Sequence, residues 1–377
     1  MPEQYTEVTK IGWGKRVKES LQGIVFGIIL FVGSFFVLWF NEGRVDLSKI
    51  AKLAVPVDPN IVDEKAEGKL ISVTGKLESD QMLGDPEFLK PGPYIKLIRE
   101  VEMYAWKEKT RTTRETKIGG GEEVRTTYSY VKEWTSHPED SSSFRHPEGH
   151  TNPAMPLEGE TFFVESAKVG AYEFAPREAD LSPLTSISLN SENVILTGTA
   201  KLEGNYIFIG QGTLRNPEVG DLRVSFKGVK TGQNVTLFGK LENGKVVPYY
   251  HKEKTRLYRL LAGSREEAIV QMAREYKINV WLFRIIGFLM MWIGLNLIFG
   301  PISTILDIVP IFGSVSRGLI GIVTFVVSLV LSIVTIIISM VFRNIIALIL
   351  VLFLAVVGTI FWIKGKRKKQ LSPEQKQ

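Results

Sequence analysis

The sequence predicts a membrane protein of the α+β class: four transmembrane helices carrying a large, mainly antiparallel β-rich domain outside the cytoplasm. Three observations predict it. Long apolar runs occupy 21–40, 280–299 and 319–363, while the segment between the first two is charged and polar. Basic residues crowd the outer ends, with Lys10, Lys15, Arg16 and Lys18 before the first run and Lys364, Lys366, Arg367, Lys368 and Lys369 after the last. Between them, 41–279 alternates short β-branched stretches with turn residues.

The spans follow from length. A helix rises about 1.5 Å per residue, so 21–40 covers roughly 30 Å, the thickness of a bilayer's hydrocarbon layer. Gln22 is its only strongly polar member. The run 280–299 has Arg284 near its start, where an arginine can snorkel to the headgroups, beside the interfacial Trp281. As one helix 319–363 would be roughly 67 Å long, about twice a bilayer core. It therefore reads as two spans, 319–341 and 345–363, turning at Arg343-Asn344. Four spans return the chain to its starting side. The basic ends assign 1–20 and 364–377 to the cytoplasm and 41–279 to the other face. Pro301, Asp307, Pro310 and Gly313 exclude a simple continuous helix over 300–318, which is expected as a cytoplasmic or interfacial loop.

Within the spans, Gly321, Thr324, Ser328, Ser332, Thr335 and Ser339 recur at three- and four-residue spacing and share one helix face. Small hydroxyl faces let membrane helices approach and bond across the contact. A polar pore is the rival reading, but the face carries no ionisable residue. Gly23 and Gly27 form a Gly-x-x-x-Gly pair in the first span.

In the polar segment, strands are expected over 68–77, 94–106, 126–134, 161–169, 194–202, 206–210 and 222–229, with a hairpin over 235–250 turning at Asn243-Gly244. In 94–106 the residues Ile95, Leu97, Val101, Met103 and Ala105 alternate with charged neighbours, and the phase slips near Ile98. Gly119-Gly-Gly121 reads as a hairpin tip and 137–160 as a long loop. Gly75-Lys-Leu-Glu recurs at Gly239, and Asp85-Pro-Glu-Phe resembles Asn216-Pro-Glu-Val, which raises an internal duplication. Ser264 and Glu267 form a capping box for an amphipathic helix over 264–277 that feeds the second span.

The composition gives little room for catalysis. The 377 residues, net charge +6, include no cysteine, which removes disulfides and thiolate chemistry. Of four histidines, His146 and His150 have ligand-like spacing, but Pro147 and Gly149 interrupt any helix there. No Gly-x-Ser-x-Gly, His-Glu-x-x-His, Walker or dinucleotide-binding pattern occurs. Asn234-Val-Thr236 matches a glycosylation sequon, at a strand position that suits it poorly. No cofactor, metal or nucleic acid is expected.

Several blocks carry a family resemblance. They are Asn41-Glu42-Gly43-Arg44, Glu67-Gly-Lys-Leu70, Gly75-Lys-Leu, Asp85-Pro86, Lys96-Leu97, Arg99, and Val101-Glu102-Met103-Tyr104-x-Trp106. Tyr128-Ser-Tyr130 with Trp134, Asn152-Pro153, the ten residues Pro217-Glu-Val-Gly220-Asp221-Leu-Arg223-Val-Ser-Phe226, and Gly294-Leu-Asn-Leu297 continue the order. The chain resembles the LUMA family, also called transmembrane protein forty-three, over nearly its whole length. Divergence is greatest in 137–160 and the last two spans. The resemblance implies four spans, a large lumenal or periplasmic domain and no known enzymatic activity. Animal members reside in the endoplasmic reticulum and inner nuclear membrane, organise membrane assemblies, self-associate, and bind emerin and lamins. The last two partners carry over only to a eukaryotic chain, and a cysteine-free composition suits a prokaryotic member in the cytoplasmic membrane. A second likeness covers 205–260, which is similar to the membrane-adjacent domain of a mitochondrial ubiquitin ligase. Without cysteines no RING finger can follow, so that likeness points to an interaction module.

The expectation is a non-enzymatic multi-pass membrane scaffold, oligomeric, whose partners are the lipid bilayer, further copies of itself and other membrane proteins. The rivals are a transporter or channel component using the hydroxyl face of the third span, and an extracytoplasmic hydrolase. The motif residues Trp106, Trp134 and Tyr104 are expected as core or membrane-facing aromatics, Asp221 and Arg223 as a pair with each other or a neighbour, and Glu42 and Arg44 as anchors beside the first span.

Overall fold

A computed structural model describes residues 4–343 together with 349, 353, 357 and 359. The chain opens with β1 (Gln4–Ile11), α1 (Trp13–Asn41), α2 (Leu47–Ala51), β2 (Val55–Val57) and β3 (Leu70–Glu78). Next come β4 (Leu83–Asp85), β5 (Leu89–Gly92), the long β6 (Tyr94–Thr116) and β7 (Glu122–Thr135). Short strands follow: β8 (Glu160–Phe163), β9 (Ala167–Val169), β10 (Tyr172–Phe174), β11 (Asp180–Leu181), β12 (Thr185–Ser186), β13 (Lys201–Glu203) and β14 (Tyr206–Ile209). Then β15 (Leu222–Lys230), β16 (Asn234–Glu242), β17 (Lys245–Val247), β18 (Tyr249–His251), β19 (Thr255–Leu257) and β20 (Arg259–Ala262) lead into α3 (Arg265–Leu306) and α4 (Pro310–Arg343).

Two compact units divide these elements. The β unit takes residues up to Val8, 46–113 and 125–276; the helical unit takes 9–45, 114–124 and 277 onward.

The β unit contains two large sheets. One runs β1-β7-β6-β15-β14-β13, with β8 added to β6 and β12 to β15. In the other, β16 pairs with β3, β17 and β20, and the circuit β3-β16-β17-β10-β9 returns to β3, closing a small barrel. Inward residues fill it: Ile71, Val73, Leu77, Val169, Leu237 and Leu241 are all buried. Each such side chain contributes about 1.5–3 kcal/mol by leaving water. A second cluster, including Leu97, Val101, Met103, Ile207, Val224 and Phe226, lines the first sheet. A third joins Ile50 and Ala51 of α2 to Leu261 and to Ala268 and Met272 of the first turns of α3.

Local chemistry explains the element ends. Asn243 (φ 52°) and Gly244 (φ 76°) both take the left-handed backbone of a type I′ turn between β16 and β17. Glu267 accepts from the Ser264 backbone N–H at 2.8 Å, so the capping box starts α3 as expected. The two Gly-Lys-Leu-Glu strands are direct partners: Val235 pairs with Gly75, Leu237 with Val73 and Gly239 with Ile71, which places the repeat about a local two-fold. The Asp85 and Asn216 echoes have a different offset and do not share that axis.

Three differences from the sequence reading stand out. In β6 the alternation is unbroken: Ile95, Leu97, Arg99, Val101, Met103 and Ala105 all face inward, and the apparent slip is an inward arginine. The run 194–202 forms no long strand, holding only a bridge at Val194 and the start of β13. Finally, 300–318 is mostly helical. Helix α3 runs through Pro301 to Leu306 and α4 starts on Pro310, a residue suited to a first helical position because its missing N–H has no acceptor there. The break spans only 307–309.

Three helices, Trp13–Asn41, Arg265–Leu306 and Pro310–Arg343, are long and apolar enough to cross a membrane. The expected third span lies within α4. The expected fourth, 345–363, and the turn at Asn344 fall outside the described residues, apart from isolated positions.

Candidate functional site

The motif residues gather in two places, one in each unit. In the helical unit, α1 ends in a polar knot. The Asn41 side chain donates to the Val280 carbonyl at 2.9 Å. Glu42, nearly buried, takes two hydrogen bonds from the Arg284 guanidinium at 2.7 and 2.8 Å. This bidentate geometry is the strongest form of such a pair. Arg44 lies over the Phe283 ring at 4.1 Å and Arg284 over Trp281 at 5.0 Å. A Cβ on Gly43 would collide with the Arg343 guanidinium, so the glycine makes room for an arginine that also donates to the Trp39 carbonyl at 2.8 Å.

The seam between helices uses the small residues. A Cβ on Gly27 would sit 2.8 Å from the Gly294 carbonyl oxygen of α3, whereas one on Gly23 would meet nothing nearer than 3.9 Å. Only the second glycine of that pair is a close-approach site. On α4, Thr324, Ser328, Ser332 and Ser339 are buried. The Gly321 carbonyl accepts from Trp292 Nε1 at 3.1 Å, and Ser339 donates to the Trp39 carbonyl at 3.2 Å. Thr324 and Thr335 bond back to their own helix at Ile320 and Leu331. Ser332 Oγ meets Met291 Sδ at 3.6 Å, while Ser328 Oγ is buried with no hydrogen-bond partner. The face packs against helices.

In the β unit, Arg223 of β15 and Glu102 of β6 are cross-strand partners and bond at 2.7 Å. The Arg223 guanidinium is held between the rings of Trp134 (4.7 Å) and Tyr206 (4.9 Å), and Tyr104 packs on Trp134 at 5.3 Å between centroids. Asp221 does not pair with Arg223. Its carboxylate instead accepts from the backbone N–H groups of Gln211, Gly212 and Glu218, tying the loop that contains Pro217. Gly220, at φ 100°, returns its N–H to the Tyr104 carbonyl. Trp106 has both backbone groups bonded by the Asn152 side chain and its ring against His150. Asn152 thus orders the 137–160 loop, in which His150 is buried and stacked on Tyr130 at 3.9 Å. His146 stacks on Tyr5, so the two histidines serve an aromatic cluster. No group of three or more metal-ligating side chains occurs among the described residues.

Sequence reasoning missed two features. Arg99, 5 % exposed, meets Asp85 at 2.8 Å, Glu160 at 3.2 Å and Glu87 at 3.5 Å. Asp307, fully buried, meets Arg16 at 2.5 Å and Arg317 at 2.7 Å. Next to Arg99 lies a cavity of about 870 Å³ lined by Glu100, Glu102, His137, Met155, Glu158 and Lys227 among others. Three of its charges are engaged with partners, Lys227 with Glu100 at 2.7 Å and Glu102 with Arg223. The Glu100 contact raises the Lys227 ammonium above its ordinary value.

Long apolar helices, a β-rich unit and polar knots at helix ends define an integral multi-pass membrane protein of mixed α and β structure. The family described as Transmembrane protein 43 matches residues 103–345. Transmembrane protein 43 of Rattus norvegicus is 29% identical over 323 residues, 80% of this chain and 79% of the relative. The Homo sapiens protein is 30% identical over 320 residues with the same coverage, and the Drosophila melanogaster homolog 29% identical over 290 residues, 72% of this chain and 75% of its own. This chain belongs to the Transmembrane protein 43 family. No solved structure matches it significantly.

Proposed function

We propose that the protein is a non-enzymatic membrane organiser, which holds its β unit beside the bilayer and acts by self-association and by contact with lipid and other membrane proteins. The observation that carries this reading is the use to which the motif residues are put. Asn41, Glu42, Arg44, Glu102, Tyr104, Trp106, Trp134, Asp221 and Arg223 are each engaged in helix anchoring, cross-strand pairing or loop tying. Residues spent on internal architecture build a rigid platform. The strand β1, mostly exposed, forms one edge of its sheet and offers backbone groups for pairing with another chain. A fourth span at 345–363 belongs to the same proposal.

The channel reading weakens on the seam geometry, since the α4 hydroxyls face neighbouring helices. Crosslinking in native membranes, followed by identification of the captured chains, tests the organiser reading. Homo-oligomers and a reproducible set of membrane proteins are expected. Capture of monomer alone, together with ion flux in liposomes that Ser332→Leu abolishes, would overturn it.

A further inference from the structure

The hairpin formed by β6 and β7 ends in a tip, 114–124, that is grouped with the helices. Within the helical unit this tip is fastened at one place, where α1 begins and α3 turns into α4. Trp13 Nε1 donates to the Thr304 carbonyl at 3.1 Å. The Gly119 N–H donates to the Ile308 carbonyl at 3.0 Å. Arg16 reaches the Gly120 carbonyl at 2.6 Å, the Glu122 carboxylate at 3.6 Å and Asp307 at 2.5 Å. Gly119 and Gly120 have φ of 90° and 78°, and a Cβ on Gly120 would collide with the Trp13 ring. Asp307 is the hub. It is fully buried, takes Arg317 from the other side at 2.7 Å, and leaves no space for a Cβ on Gly313. Arg16 and Arg317 offset the Asp307 and Glu122 carboxylates, and the more exposed Arg114 also meets Glu122 at 3.6 Å, which lets charge be buried at a helix turn.

A second observation agrees. Strand β1 pairs with β7. In the β unit Thr6 bonds Thr127 at 3.2 Å and Glu7 meets Arg145 at 2.7 Å. In the helical unit Gly121 lies against the Ile11 carbonyl. Paired strands with polar side chains share one aqueous environment, because open sheet edges and irregular backbone are not stable against lipid.

We propose that the hairpin tip 114–124 and the segment that opens the chain, Gln4–Ile11, lie in one aqueous compartment, with the tip fastened to the start of α1 through Arg16 and Asp307. The placement of charge along the sequence put 1–20 and the whole of 41–279 on opposite faces; the clamp removes the tip 114–124 from that block.

The absence of cysteine gives a clean background for testing sidedness. Lys10→Cys and Ile118→Cys both change exposed positions, Ile118 being 94% exposed. A membrane-impermeant maleimide applied to sealed vesicles of each orientation, with detergent-solubilised protein as the full-label control, should modify both thiols from the same face. Labelling from opposite faces, or labelling of Ile118→Cys only after solubilisation in both orientations, would overturn the proposal. Asp307→Asn tests the clamp separately: tryptic cleavage after Lys117 in the solubilised protein should quicken several-fold, and an unchanged rate would show that Asp307 does not hold the tip.

Discussion

The two buried charge clusters meet the same difficulty from opposite signs. In the β unit a single arginine, Arg99, points inward from β6 and collects three carboxylates, of which Asp85 is fully buried while Glu87 and Glu160 are more than half exposed. In the helical unit a single carboxylate, Asp307, collects two arginines, with Arg317 partly exposed. Each buries a carboxylate fully against a nearly buried guanidinium and leaves Glu87 and Glu160, or Arg317, in contact with water, which confines most of the desolvation to the inner ions. The difference is in what is joined. The Arg99 cluster ties β6 and the neighbouring 158–160 segment to the separate β4-β5 hairpin that supplies Asp85 and Glu87, all within one unit. The Asp307 cluster ties three segments far apart in sequence at a helix turn.

This comparison can be broken by substitution. The largest effect is expected for Arg99→Met, which leaves the Asp85 carboxylate buried beside no cation and should cost about 3–5 kcal/mol, read from unfolding of the β unit in denaturant. A loss under about 1 kcal/mol would mean that Asp85 is solvated or protonated at little expense. Gly294→Val comes next. Its Cβ would lie 2.7 Å from the Phe31 backbone nitrogen and 2.8 Å from the Gly27 carbonyl, so overpacking should cost about 1–3 kcal/mol in bicelle unfolding measurements, with the β unit unchanged.

A pH titration sharpens the contrast further. Burial, reinforced for Tyr130 by its hydrogen bond to Glu108, pushes Tyr130 and Tyr258 up to about 12 from an ordinary value of 10. The unfolded chain then ionises first. The stability these phenols carry is fully present below pH 10 and is lost as pH rises towards 12. Tyr258→Phe should flatten that alkaline loss in the β unit, and an unaltered profile would locate it elsewhere. The smallest effect is expected for Ser328→Ala, which removes a buried hydroxyl without a partner and should shift helical-unit stability by less than about 0.5 kcal/mol. A large loss would reveal a hydrogen bond across the seam.

Periodicity made much of this legible. The Asn243-Gly244 turn, the Ser264 capping box and the apolar runs 21–40, 280–299 and 319–341 each depend on neighbours within a few residues, and each took the expected form, as did the alternation in 94–106 apart from the slip read near Ile98. The hydroxyl stripe of α4 was visible because helical spacing places it on one face. Pairings across a hundred residues or more leave no periodic trace. Arg16 read as one basic residue of a terminal cluster, and nothing nearby in sequence announced Asp307 or Glu122 as its partners. The N-terminal strand was hidden for a related reason: Tyr5, Glu7, Val8 and Lys10 lack a clean alternation, and β1 exists through its pairing with β7. The inward Arg99 was misread as a slip in phase because a charge at a core position looks like a break until its carboxylates are located.

The organiser account depends most directly on self-association in the membrane. Photobleaching step counts on the labelled chain, captured in native nanodiscs at its natural density, measure the copy number in place. A distribution dominated by two or more copies is predicted, and it should persist in Ser328→Ala. A population of single copies in those discs would contradict the account.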